Sequence, residues 1–258
     1  MNNFGGRGLH GQVVNELGTR IMRGELLPGD TIDPEQIALE FQVSRTVVRE
    51  ALKVLTAKGL VGARPRFGTF VTDRANWQLL DGDVMSWRSS DQPDPRLVME
   101  LGEVRRLIEP AAAGMAAERR DAAQLERIRV AFDALDRSYR TDDPDRPDHT
   151  EADLEFHRAL LAASGNELLE RFEVVLAPAL QARDRLAHQH MTTLDFLDGH
   201  RAVYDAVAAG DAAAAAERMR ELMDLSASDS AIALGLSLGA ADLAHPSTLS
   251  TSSKRLHR

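Results

Sequence analysis

The 258-residue chain contains no cysteine, only 5% aromatic residues, and no apolar run near the roughly 20 residues that a bilayer span needs. The first absence excludes disulfides and thiolate metal sites and agrees with a reducing compartment. The last leads us to expect a cytoplasmic protein with no membrane partner, as does the start Met1-Asn2-Asn3-Phe4-Gly5-Gly6-Arg7, which lacks an apolar leader core. Two familiar catalytic signatures are missing as well: neither His-Glu-x-x-His nor a Gly-rich phosphate loop occurs. Nor is there a general excess of positive charge, since 31 Lys/Arg face 40 Asp/Glu for a net charge of −9. Any affinity for nucleic acid must therefore be concentrated locally.

Such a concentration exists. Between Val43 and Arg74 lie seven cations (Arg45, Arg49, Lys53, Lys58, Arg64, Arg66, Arg74) and two acids (Glu50, Asp73), whereas residues 76–258 carry a net −11. The pattern around these cations is that of a helix-turn-helix. Asp33, with Gln36 three residues on, predicts a capping box opening a short helix through Ile37, Ala38 and Phe41, and Gln42-Val43 makes the turn. Ser44 is the expected N-cap of the second helix, whose Val47, Val48, Ala51, Leu52 and Leu55 recur at helical spacing. Arg45, Thr46, Arg49 and Lys53 are thereby left on the outward face. Lys58-Gly59 closes this helix, and Leu60-Val61 and Thr69-Phe70-Val71 predict two short strands joined through Arg64-Pro65-Arg66-Phe67-Gly68. Taken singly, each arginine is as well explained as a solvated surface charge. Taken together, they mark the place where a phosphate backbone would lie.

The rest of the chain reads differently. A first helix, with Val13, Leu17 and Ile21, ends near Gly24 before the turn Leu27-Pro28-Gly29. A connector, residues 76–95, holds both tryptophans, Trp77 and Trp87, and should be packed against something. From Leu97 onward every long segment has helical period and no strand is evident, so the expected fold is mainly α: a winged helix-turn-helix over residues 1–75, then an all-helical bundle of about six helices over 96–235. Residues 236–258, rich in Ser and Thr, are expected to be disordered.

These residues resemble a known family. Ile21-Met22-x-Gly24-x-Leu26-x-Pro28-Gly29, Ser44-Arg45-x-x-Val48-Arg49-Glu50-Ala51-Leu52, Leu55-x-x-x-Gly59-Leu60-Val61 and Gly68-Thr69-Phe70-Val71 are similar to the winged helix of GntR-type transcription regulators. Val104-Arg105-x-x-x-Glu109, Ala116-Ala117-Glu118-Arg119, Asp153-x-x-x-His157, Gly165-Asn166 and His200-x-x-Val203 resemble the FCD effector domain of the FadR-like branch. The connector further resembles that of galactonate-responsive regulators. The resemblance implies a homodimeric regulator of a catabolic operon, a repressor, that binds double-stranded operator DNA and is released by a small carboxylate effector, a sugar acid or hydroxy acid. Ser44, Arg45, Thr46, Arg49, Arg64, Arg66 and Gly68 are the expected DNA contacts. One departure is that Glu35 stands where relatives often carry a basic residue.

Asp153 and His157, at i and i+4, lie one above the other on a helix, where a carboxylate and an imidazole can share a cation. The same spacing also suits an ordinary helix hydrogen bond, and a lone His such as His200 is ordinarily a satisfied core residue. The resemblance favours the metal reading, because the branch binds a divalent ion through one Asp and three His. Three positions match; the fourth falls on Leu222. The expected cofactor is a divalent metal, zinc by ligand type, with water and effector completing the coordination. Arg105 is the expected anchor for the effector carboxylate, since a guanidinium offers planar bidentate recognition. The alternative for Arg105 is a surface pair with Glu109 at i+4. Arg106, Arg183, Arg185, His188 and His190 are unranked candidates. Two other readings stay open: a metal-dependent enzyme built on the helical bundle, and a constitutive DNA binder with an empty pocket.

Overall fold

The computed structural model describes residues 8–89, 95–139, 145, 147–187 and 193–234. Helix α1 (Leu9–Met22) buries Val13, Val14, Leu17 and Ile21 along one stripe and ends at Gly24, whose φ of 73° is the left-handed conformation that glycine tolerates best. Strand β1 (Thr31–Ile32) and helix α2 (Pro34–Glu40) follow. The Asp33 side chain caps α2 by accepting from the Glu35 amide at 2.8 Å, but the reciprocal contact from Gln36 is not made, so the expected capping box is a simple cap with Pro34 at the first helical position. Gln42, at φ 53°, reverses the chain into α3 (Arg45–Ala57), where Ser44 Oγ accepts from the Val47 amide as expected.

The wing pairs β2 (Val61–Arg64) with β3 (Gly68–Val71) in register Val61↔Val71 and Arg64↔Gly68. Strand β1, absent from the sequence expectation because two residues carry no periodicity, adds to the other edge of β3 and gives the order β1-β3-β2. One apolar cluster, including Leu17, Val48, Leu55, Leu60 and Val71, holds helices and wing together.

The connector is structured too. After a single 3-10 turn (Arg74–Asn76), α4 (Gly82–Arg88) begins with Asp81 accepting from the Asp83 and Val84 amides. Trp87 is 5% exposed within the same cluster as α1 and α3, and its indole N–H donates to Asn15 Oδ1 at 3.0 Å. Met85, on the other side of α4, packs instead with Leu97, Leu101, Val175 and Ala179 of the following helices.

Those helices are α5 (Pro95–Arg119), α6 (Ala122–Ser138), α7 (His149–Ala163), the one-turn α8 (Glu167–Glu170), α9 (Glu173–Ala187), α10 (Thr193–Ala209) and α11 (Ala212–Ala233). Their interior includes Ile128, Phe132, Phe156, Phe196, Val203, Met219 and Leu222. Among the described residues this part holds no strand, as expected. The tail 236–258, His188 and His190 lie outside the described residues, as do the side chains of Arg183 and Arg185. A Gly-x-Ser-x-Gly string, Gly235-Leu236-Ser237-Leu238-Gly239, also lies there. It follows helix α11 and not the strand from which such a motif presents a nucleophile.

Candidate nucleic-acid face and candidate metal centre

Two places in the molecule gather functional groups. The first is the outer surface of α2, α3 and the wing, where Ser44, Arg45, Thr46, Arg49, Arg64, Arg66 and Gly68 are all exposed. Burying Val48, Ala51, Leu52 and Leu55 turns the opposite side of α3 outward. Arg66, at φ 66°, and Gly68, at φ 89°, form the tip of the wing, and the Arg64 guanidinium lies over the Phe70 ring at 4.6 Å. The cations of α3 differ in their partners. Lys53 Nζ meets Glu50 Oε1 at 2.8 Å, and Arg45 Nη1 meets Glu35 Oε1 of α2 at 2.8 Å. Among the described residues Arg49 has no carboxylate within ion-pair distance.

The second place lies inside the helical bundle. Asp153 and His157 of α7 and His200 of α10 are at most 1% exposed, and one ligand atom from each lies within 4.8 Å of the other two. Asp153 Oδ1 is 2.9 Å from His200 Nε2 and 3.6 Å from His157 Nε2. His200 Nδ1 is 2.6 Å from the Phe196 carbonyl, which requires the ring proton on Nδ1. Nε2 then faces the Asp153 carboxylate at 2.9 Å, both side chains at most 1% exposed, and a proton or a cation must lie between two electronegative atoms that close. The residues present therefore fit a divalent ion with mixed N/O ligands.

Sequence reasoning missed what stands behind these ligands. Glu109, 3% exposed on α5, places Oε2 2.5 Å from His157 Nδ1 and Oε1 2.5 Å from Arg105 Nε. Burial raises the Glu109 pKa, but the Arg105 charge and then His157 outweigh it and bring the carboxyl down to about 2. Burial pushes His157 down, and the Glu109 charge, followed by the Asp153 and Glu109 hydrogen bonds, more than reverses this. A carboxylate behind an imidazole is the usual means of fixing the orientation of a metal-ligating ring. The signal was the Arg105/Glu109 spacing itself, but sequence could not place His157 beside it.

Arg105 itself is 4% exposed, so its pair with Glu109 is a buried one and not the surface contact that spacing alone suggests. Its Nη2 lies 3.5 Å from Glu109 Oε2 and 3.3 Å from His157 Nε2. The side chain also lines a cavity of about 500 Å³ between α5, α9 and α11, with Arg106, Ala179, Met223, Ser226 and Ser230. Arg106 pairs with Asp224 at 2.7 Å. Leu222, 2% exposed, packs in the apolar interior with its Cδ1 against Gly199, next to His200, so the fourth ligand position of the resemblance is an apolar wall.

Comparisons with known proteins agree on both parts. Residues 9–71 match the model of the bacterial regulatory proteins of the gntR family, and residues 100–225 match the FCD domain. The galactonate operon transcriptional repressor of Escherichia coli (strain K12) is 32% identical over 207 residues, 79% of this chain and 89% of that protein. The regulator LutR of Bacillus subtilis (strain 168) is 36% identical over 208 residues, 77% of this chain and 90% of its own length. Among solved structures, Lar, which controls expression of the Listeria monocytogenes agr system, aligns with a TM-score of 0.60 at 22% identity, covering 89% of this chain and 98% of that one. That last likeness bears on the fold alone. With the front part matching one family model, most of the helical part matching the other, and relatives above 30% identity spanning over three quarters of the chain, the chain belongs to the GntR family of DNA-binding transcription regulators, in the FadR-like branch that carries an FCD domain.

Proposed function

We propose that the protein represses a catabolic operon and leaves its operator when a small carboxylate, a sugar acid or hydroxy acid, enters the helical bundle. Residues 1–75 form the reading head, 76–95 the connector, 96–235 the effector and dimerisation unit and 236–258 a tail. Two copies present two α3 helices to successive major grooves, as operator symmetry requires. Arg45 and Arg49 meet base edges or phosphates, Ser44 and Thr46 support them, and Arg64, Arg66 and Gly68 approach the flanking backbone or minor groove. The exposure of all seven residues on one surface of an otherwise anionic chain carries this reading. Zinc, held by Asp153, His157 and His200, would supply a Lewis-acid anchor for the effector. Arg105 engages its carboxylate from the cavity wall, and Glu109 fixes both Arg105 and His157.

The names of two relatives support a small organic acid: a galactonate operon repressor and, at 30% identity, a putative L-lactate dehydrogenase operon regulatory protein, both of Escherichia coli (strain K12). A thermal-shift screen of aldonic, uronic and small hydroxy acids, with and without chelator, tests pocket, metal and ligand class together. We expect one acid class to raise the melting temperature and release the operator, and the chelator to abolish both effects. A melting temperature indifferent to every acid would instead support a constitutive DNA binder.

A further inference from the structure

We infer that Glu35 determines specificity at the DNA face, by holding the Arg45 guanidinium in position to read a base. This rests on the assignment of α3 as the reading helix. Glu35 sits in the first turn of α2, 61% exposed, and its Oε1 lies 2.8 Å from Arg45 Nη1. Both side chains wall one groove with Arg49, Lys53, Ala63 and Thr69, between α2, α3 and the wing. A carboxylate there repels phosphate, so it lowers affinity for DNA in general. Nor is it needed for the fold, because exposed ion pairs contribute little to stability and Asp33 already caps α2. What the pair does is to restrict a long, flexible side chain at the very start of α3.

The pair engages Nη1, while the Arg45 side chain stays 73% exposed. An unrestrained Arg45 can swing to the nearest phosphate, which adds affinity without sequence preference. A tethered one is arranged in advance for the edge of a guanine, the commonest specific contact of arginine. Within α3 this divides the labour: Lys53 is neutralised by Glu50, Arg49 is left to whichever group the duplex offers, and Arg45 is committed.

The test uses the full-length protein, a duplex that the wild type selects from a random-sequence pool, and a scrambled duplex of equal length. Polarisation titrations are run at two salt concentrations. Glu35→Gln should bind the scrambled duplex more tightly, with a salt dependence steeper by about one counterion, and should lose roughly tenfold or more in discrimination between the duplexes. In an Arg45→Ala background the same substitution should leave discrimination unchanged. If Glu35→Gln shifts both duplexes by one factor, Glu35 is only a repulsive charge and the inference fails; if it shifts neither, the pair has no role and it fails equally. Arg49→Ala serves as the separate control for the reading helix: retained operator affinity there would overturn the assignment of α3 itself.

Discussion

Leu222 shows how one side chain can set the character of a site. It puts apolar volume where the family resemblance expects a fourth ligand, beside the buried group Asp153, His157 and His200 that could hold a metal. Leu222→His should therefore tighten zinc binding, measured by competition with a chelating dye, while lowering the stability of the metal-free protein by about 1–3 kcal/mol as a polar ring enters an apolar interior. Unchanged zinc affinity would mean that position 222 does not point at the cluster. Removing a ligand acts in the other direction: His200→Ala should weaken zinc binding by at least an order of magnitude and leave the operator affinity of the effector-free protein intact. At the α3 terminus, Ser44→Ala removes the acceptor for the Val47 amide and should cost about 1 kcal/mol in chemical denaturation. The candidate ligands and the outward cations were legible as residue types at characteristic spacings. Glu109 behind His157 and Glu35 beside Arg45 were not, because each contact joins two helices whose relative placement no local spacing encodes.

Among the elements, α4 has the most to say about coupling. Its Val84 and Trp87 belong to the core of the DNA-binding head and its Met85 to a cluster with α5 and α9, so it is a member of both. Lys58, near the end of α3, clasps its N-terminus through Asp81 at 2.6 Å and Asp83 at 2.8 Å. A ligand that shifts α5 or α9 would thus move a helix rooted beside α3, provided it prefers one arrangement over the other. Effector addition should change the fluorescence of Trp77 and Trp87; release of DNA with no spectral change would remove α4 from the path. Gly18 of α1 tests the packing directly, because a Cβ there would lie within 2.6 Å of three Trp87 ring atoms. Gly18→Ala, ordinarily favourable within a helix by up to about 1 kcal/mol, should here destabilise the protein by about 1–3 kcal/mol in thermal or denaturant unfolding. Periodicity revealed the long helices and the wing strands β2 and β3. It did not reveal α4, because seven residues span only about two turns, too short a window for a helical period to show.

At the scale of the whole molecule, charge is divided: a head of net positive charge ahead of a strongly acidic remainder, within a chain of net −9. Such a distribution favours the specific duplex over indiscriminate adsorption, because only one surface attracts phosphate and the rest repels it. Among the described residues no helix is long and apolar enough to cross a membrane. The buried Asp153/His157/His200 cluster lies in the acidic part and the outward cations of α3 in the basic part, so the proposed control would pass through the connector. The claim on which the rest depends is that the outward cations of α3 grip operator DNA. It is tested most directly by titrating a selected operator with wild-type protein and with Arg49→Ala at one fixed salt concentration, with circular dichroism confirming that the variant is folded. We predict a loss of affinity of tenfold or more, corresponding to about 1.4 kcal/mol or more; equal affinity of the two proteins would contradict the account.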